Sequence, residues 1–161
     1  PPRSTLFPYT TLFRSAVGKI KDRHYNALAA EYLKRLKPYA RVKVIELEAA
    51  PFNEQTRERA KEFDGERIEN FLNKQKDDRL VYLLAERGEE YNSPDLAKWL
   101  NNKDPLILVV GGALGFSDDL YQKYPALSLS LLTFPHELAR VVLLEQIYRS
   151  ATILQNKSYH Y

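Results

Sequence analysis

The chain has 161 residues, which is enough for one domain with a buried core. It has no cysteine, no metal-ligand spacing among its histidines at positions 24, 136 and 160, and no apolar run of membrane-spanning length. Its first residues lack the pattern of a signal peptide, so we do not expect one. These features exclude disulfides and thiolate metal sites, and we expect a cytoplasmic protein without a metal or a membrane association. The 24 basic and 21 acidic residues leave a net charge of +3, a weak indication of an anionic partner.

The first fifteen residues differ in character from the rest. The stretch TLFPYTTLFRS at 5–15 resembles the conceptual translation of a short-read sequencing adapter, so we expect residues 1–15 to be an artefact and residues 16–161 to be one native domain. Without Arg3 and Arg14 the chain has 22 basic against 21 acidic residues, a net charge of +1. The alternative is a genuine first strand around residues 10–13.

Two helices and a strand are predicted in the first half. Asp22 can cap a helix that runs to about Leu36, where Pro38 follows. The segment RVKVIELE at 41–48 is typical of a half-buried strand. Asn53 is expected to cap a long charged helix over about 54–74.

The centre of the chain contains two apolar strands that end in glycines. The segment RLVYLLA at 79–85 predicts a strand, followed by a glycine turn over residues 86–88. After a short helix from Ser93 to Leu100, PLILVVGGALG at 105–115 predicts a strand that is buried on both faces. Its glycines indicate a ligand loop at 111–115, or else a plain strand-to-helix turn.

The last third predicts a helix over 118–123 after Ser117, a short apolar segment over 125–132 and a final helix over about 137–153. Strands that alternate with helices indicate an α/β fold with a parallel sheet. Ligands bind such sheets at the carboxyl ends of the strands. We therefore expect the loops at 85–88, 111–115 and 130–135 to form one pocket, which would suit an adenine-containing molecule.

The candidate catalytic residues each have an alternative interpretation. His136 could be a general base or make a structural hydrogen bond. Arg140 and Arg149 could face a substrate or pair with Glu137 or Glu145 on the same helix. The terminal residues 159–161, YHY, are unusual for a tail and could equally be frayed.

Several segments together resemble one protein family. These are AVGKIK at 16–21, LAERG at 84–88, LVVGGALGF at 108–116, LSLSLLTFPHELARVVLLEQIYRSATI at 127–153 and SYHY at 158–161. They are similar to the ribosomal RNA large subunit methyltransferase H family, the 23S rRNA pseudouridine N3-methyltransferases of the SPOUT superfamily. The resemblance runs from residue 16 to the C-terminus.

The resemblance implies a parallel α/β fold with a deep trefoil knot in its C-terminal part. It also implies a homodimer that uses S-adenosylmethionine to methylate 23S rRNA. Because a net charge of +1 gives little non-specific affinity for RNA, we expect the substrate to be the assembled ribosome rather than naked RNA. By motif matching, the cofactor contacts would be Leu84, Gly112, Ser130, Leu131, Leu132, Thr133, Phe134 and Pro135. The candidates for base or substrate contacts are His136, Arg140, Tyr159 and His160, with the last two contributed by the partner subunit.

The sequence departs from the family pattern in two places. Ala85 stands where the family often has an acid, and the adapter-like segment stands where the family has its first strand. Two other functions remain open at this point. The chain could be a non-catalytic ribosome-binding or assembly factor that senses the cofactor, or a small-molecule methyltransferase that does not need the aromatic and basic tail.

Overall fold

The computed structural model of the protein describes residues 11–17, 19–75, 78–101, 103 and 105–161, and for 11–17 it describes the backbone only. Five strands and five helices alternate along these residues. In chain order they are β1 Thr11–Val17, α1 Arg23–Leu36, β2 Arg41–Leu47, α2 Arg57–Leu72, β3 Leu80–Glu90, α3 Ser93–Asn101, β4 Leu106–Val110, α4 Asp118–Lys123, β5 Ala126–Ser128 and α5 His136–Leu154.

The strands form one parallel sheet in the order β2-β1-β4-β3-β5, which confirms the predicted α/β fold. Strand β1 lies between β2 and β4, with Thr11 opposite Arg41 and Phe13 opposite Ile107. It therefore includes the last residues of the adapter-like segment, whereas residues 1–10 and Gly18 lie outside the described part of the chain.

Strand β4 is the centre of two apolar cores because all five of its residues are buried, as its sequence predicts. Leu106, Leu108 and Val110 face the core that α1, α3 and α5 cover. Ile107 and Val109 face the opposite core, which α2 and α4 cover. Successive side chains of a strand point to opposite faces, so an unbroken apolar run is needed here.

Helix α2 begins at Arg57, three residues later than predicted. Asn53 does not cap it. Its side-chain oxygen accepts hydrogen bonds from the backbone N–H groups of Gln55 and Thr56, and this stabilises a turn before the helix. The helix continues through Gly65, which is buried against Ser117.

The predicted glycine turn over 86–88 is wrong, because β3 continues to Glu90. Its pairing with β5 shifts register instead, since both Leu84 and Glu89 lie opposite Leu127. Gly88 lies so close to β5 that a Cβ atom would be 2.5 Å from the carbonyl carbon of Leu127. The glycine therefore permits a close approach of two strands within a bulge rather than a turn.

The caps of two further helices differ from the prediction. Asn92, and not Ser93, caps α3, because its side-chain oxygen accepts from the N–H of Asp95 at 2.8 Å. Ser117 precedes α4 but makes no capping hydrogen bond with its side chain. Helix α1 is capped as predicted, by Asp22. No helix in the described part of the chain has both the length and the apolar character needed to cross a membrane.

Candidate functional site

A pocket of about 590 Å³ lies at the carboxyl edge of the sheet, where β4, β3 and β5 are neighbours. All three loop segments that the sequence predicts to converge contribute to it. The residues that line it are Leu84, Ala85, Glu86, Val110, Gly111, Gly112, Ala113, Gly115, Phe116, Tyr121, Leu129, Ser130, Leu132, Thr133, Phe134, Pro135, His136 and Ala139. Its volume and its largely apolar wall suit a small molecule of nucleoside size or somewhat larger.

The glycine loop after β4 forms the floor of this pocket. Gly112 and Gly115 pair with each other, and the N–H of Gly115 donates to the carbonyl of Gly112 at 3.1 Å. Gly115 has a φ of +71°, which a side chain would disfavour. At Gly111 a Cβ would approach the ring of Phe116 to 3.3 Å. Glycine is thus required for the shape of the loop, which leaves backbone polar groups at the pocket wall.

The loop between β5 and α5 forms the opposite wall. Its shape depends on two serines: the Ser128 hydroxyl donates to the carbonyl of Ser130 at 2.9 Å, and Ser130 Oγ accepts from the N–H of Leu132 at 3.0 Å. Leu132 lines the pocket although it is 71% exposed, whereas Leu131 is 78% exposed and does not line it. Seven of the eight predicted cofactor contacts therefore line one pocket, and Leu131 lies outside its wall.

Glu86 and Thr133 connect the two sides of the pocket. The Thr133 hydroxyl donates to the Glu86 carboxylate at 2.8 Å, which ties the β3 bulge to the loop before α5. Next to it, the guanidinium of Arg87 lies 4.2 Å from the ring centre of Tyr121. Sequence reasoning placed the segment 85–88 at the pocket but gave Glu86 no role there, and it did not assign Tyr121 to the site. Their contribution depends on the β3 bulge and on the placement of α4.

His136 is the titratable group at the start of α5, and it also lines the pocket. Burial lowers its pKa below the usual 6.5, and the positive charges of Arg140 and Lys21 act in the same direction, while Glu137 opposes them. Its Nε2 lies 4.0 Å from the Glu137 carboxylate, which is too far for a hydrogen bond. The imidazole is therefore neutral at pH 7 and can accept a proton.

Glu137 is held by the segment that precedes α1. Its carboxylate accepts from the backbone N–H of Lys21 at 3.2 Å and from that of Asp22 at 3.0 Å. These two bonds lower the pKa of Glu137, so the carboxylate is ionised at neutral pH. The predicted alternative for Arg140, a pair with Glu137, is not what the structure shows.

Arg140 lies behind the pocket rather than in it. It is 2% exposed and pairs with Glu46 on β2, with 3.4 Å between Nη1 and Oε1. Its neighbour one position earlier, Ala139, lines the pocket instead. Arg140 therefore supports the wall and contributes positive charge near His136, but it is too deeply buried to meet a macromolecule at the surface.

The tail residues Tyr159 and His160 lie far from the pocket of their own chain. The ring of Tyr159 packs against Tyr148 with 4.9 Å between centroids, and its hydroxyl donates to Glu145 at 3.1 Å. Tyr148 is twelve residues beyond His136 on α5, a distance of about 18 Å along the helix axis. Arg149 pairs with Glu145, the alternative considered from the sequence, and also contacts the His160 ring at 3.3 Å.

Comparisons with known proteins identify the family and the fold. A family described as "Predicted SPOUT methyltransferase" matches residues 13–160. A protein named "Ribosomal RNA large subunit methyltransferase H", from Kosmotoga olearia, is 41% identical over 150 residues, which cover 89% of this chain and 95% of that protein. The crystal structure of a probable rRNA-methyltransferase from Porphyromonas gingivalis is similar in fold, with a TM-score of 0.54 and 16% identity over 90% of this chain and 70% of that one.

Proposed function

Because the chain belongs to the SPOUT methyltransferases, and among them to the ribosomal RNA large subunit methyltransferase H family, we propose that it transfers a methyl group from S-adenosylmethionine to N3 of a pseudouridine in 23S rRNA. The observation that carries the proposal is the pocket at the carboxyl edge of the sheet. The segments that resemble the family's cofactor-binding motifs lie around that single pocket.

The residues present fit S-adenosylmethionine. The pocket volume of about 590 Å³ is in the range of cofactor sites. Leu84, Gly112, Ser130 and the run 132–135 would hold the cofactor, with apolar side chains around an adenine and backbone groups around its polar atoms. Leu131 would take part only if the loop adjusts. When bound, the cofactor supplies a methyl group on an electrophilic sulfonium.

The main contribution of the protein would be to align the two reactants, which is worth several kcal/mol of the barrier. The N3–H of a pseudouridine must lose its proton before the nitrogen can attack. His136 faces the pocket with a lowered pKa and is neutral at pH 7, so it is the best-placed base on this chain. Arg140 would act from behind the wall as a positioning residue.

Tyr159 and His160 would contribute to the substrate site only from a second copy of the chain. Tyr159 contacts Glu145 and Tyr148, which lie about 14 and 18 Å from His136 along the axis of α5. We therefore propose a homodimer in which the tail of each subunit completes the site of the other. We also propose a deep trefoil knot in the C-terminal part of the chain. We propose further that the protein works in the cytoplasm on the assembled ribosome, and that residues 1–15 are not native.

The test is methyl transfer from labelled S-adenosylmethionine to ribosomes that lack this methylation. The chain is compared with a version in which a relative's first strand replaces residues 1–15. We expect label at N3 of a large-subunit pseudouridine. If neither version transfers label although both bind the cofactor in calorimetry, the enzyme assignment is wrong and a ribosome-binding role replaces it. Transfer to a small molecule without ribosomes would also contradict the proposal.

A deletion of Ser158–Tyr161 tests the role of the tail. We expect methyl transfer to fall below detection while the affinity for S-adenosylmethionine stays unchanged, because the tail lies outside the cofactor pocket of its own chain. A loss of cofactor binding would show that the tail serves the cofactor instead.

A further inference from the structure

A run of exposed basic side chains lies directly before and at the start of α1. Lys19, Lys21 and Arg23 are exposed, and the guanidinium of Arg23 donates to the ring of the exposed His24 at 3.3 Å. The acid among them, Asp22, faces the helix, because its carboxylate accepts from the N–H groups of His24 at 2.7 Å and of Tyr25 at 3.1 Å. We call residues 19–24 the basic rim. It presents three permanent positive charges to the solvent.

The basic rim is attached to the mouth of the pocket. The carboxylate of Glu137 accepts the backbone N–H groups of Lys21 and Asp22, and Glu137 directly follows His136, which lines the pocket. The topology is consistent with this proximity. Strands β1 and β5 are parallel, so α1 and α5 both begin at the carboxyl edge of the sheet. The backbone of the rim is thus held while its side chains stay exposed.

The carboxylates of Asp22 and Glu137 lie at the rim and offset part of its charge, but within the described part of the chain they form no ion pair with its cations. Among the residues that the structure describes, the ion pairs closer than 4.0 Å do not include Lys19, Lys21 or Arg23. Arg140, a cation that the sequence suggests for a substrate contact, is 2% exposed and paired with Glu46. Among the described residues, the exposed cations beside the pocket include those of the rim and, on the other side of the mouth, Arg87, which lies over Tyr121 next to the carboxylate of Glu86.

We propose that the basic rim binds backbone phosphates of the RNA next to the target nucleotide and so orients the substrate over the pocket. This inference rests on the proposed function, and it specifies where that substrate meets the protein. A low net charge gives the protein little non-specific affinity for RNA. Three cations concentrated at one edge nevertheless give that edge a local affinity for phosphates. Phosphate contacts fix the position of a nucleic acid without reading its sequence.

The test compares two double variants of the full chain. In Lys21→Gln/Arg23→Gln the rim loses two charges. In the matched control, Lys61→Gln/Lys74→Gln, two charges are lost in and just after α2, on the opposite face of the sheet. The equilibrium binding of a fluorescent RNA hairpin and of unmethylated large ribosomal subunits is measured between 25 and 200 mM KCl. The charge-conserving variant Lys21→Arg/Arg23→Lys separates charge from shape.

Each phosphate contact contributes about 0.7 to 0.9 to the slope of log K against log salt. We therefore expect the rim variant to lose about 1.4 to 1.8 from the slope on both probes. The control and charge-conserving variants should keep the slope of the original chain. In turnover with ribosomes, the rim variant should raise KM at least tenfold at 150 mM KCl, with little change in kcat and none in cofactor affinity.

A rim variant whose slope equals that of the control would overturn the proposal. A slope change on ribosomes but not on the RNA hairpin would also overturn it, because the rim would then bind an acidic protein. The binding slopes do not depend on methyl transfer. If the original chain binds RNA through the rim but transfers no methyl group, the proposed function fails while the phosphate contact stands.

Discussion

Gly88 offers the sharpest test of how the two walls of the pocket are joined. The substitution Gly88→Ala would place a Cβ 2.5, 2.6 and 2.7 Å from three backbone atoms of Leu127 and Ala126 on β5. Carbon atoms in contact normally lie about 3.5–4.0 Å apart, so β5 would have to move by roughly 1 Å. No side-chain rotation can relieve this contact, because all three atoms belong to the backbone.

The overpacking should lower the free energy of unfolding by about 3 kcal/mol, the upper end for such a site. Alanine also makes the unfolded chain less flexible than glycine does, and this raises the free energy of unfolding by about 0.4–1 kcal/mol. The net loss of about 2–3 kcal/mol corresponds to a fall in Tm of about 4–12 °C for a chain of this size. Thermal unfolding followed by circular dichroism measures it directly.

The matched control is Gly65→Ala in α2. There a Cβ would be 2.8 Å from the hydroxyl of Ser117, but that atom ends a side chain that can rotate, and the next contact is an ordinary 3.5 Å. Alanine also stabilises a helix interior relative to glycine by about 0.5–1 kcal/mol. We expect its Tm to stay level or to rise by about 1–4 °C. The reasoning is refuted if the Tm of Gly88→Ala lies within about 2 °C of that of the original chain. It is also refuted if Gly88→Ala and Gly65→Ala lower the Tm by the same amount.

Three further predictions concern the start of α5. Burial lowers the pKa of His136 in the folded chain, so the unfolded chain binds a proton more readily. The free energy of unfolding should therefore rise with pH up to about 6.5 and level off above it. In urea unfolding measured at a series of pH values, His136→Gln should flatten this rise. Glu137→Gln should speed hydrogen exchange of the two amides bound to its carboxylate, and unchanged exchange would contradict their anchoring role. Glu46→Gln should lower the free energy of unfolding in urea by about 1–3 kcal/mol, because it removes a charged partner of the buried Arg140; equal stability would show that other contacts suffice.

The fold could be predicted from the sequence where local pattern and tertiary environment agree. The apolar run of β4 is unbroken because both of its faces are buried, so its sequence alone specifies a central strand. The start of α1 was also predictable, since Asp22 makes the capping bonds typical of its residue type. In both cases the residue's own chemistry determines the local structure.

The prediction failed where a distant element decides the local structure. Gly88 follows an apolar run and precedes two acids, a pattern typical of a turn, yet the approach of β5 keeps it within β3. Asn53 and Ser93 both have the side chains of helix caps, but Asn53 stabilises a turn and the hydroxyl of Ser93 donates to Gln146 on α5. A capping residue can bond to several nearby partners, and only the packed structure selects one.

The candidate site shows the same division. That three loops converge was predictable once a parallel sheet was assumed, because the carboxyl ends of its strands share one edge. The contributions of Glu86 and Tyr121 to the pocket wall were not predictable. The position of Glu86 depends on the β3 bulge, and that of Tyr121 depends on the placement of α4.

The length of α5 finally separates the two halves of the proposed reaction. His136 begins the helix at the pocket, and Tyr159 contacts Glu145 and Tyr148, about 14 to 18 Å further along the helix axis. A side chain does not cover that distance, so the pocket and the tail of one copy cannot act on the same base. In the proposed reaction the cofactor would therefore be held by the pocket of one chain, and any role of the tail at the substrate would require a second chain to bring it there.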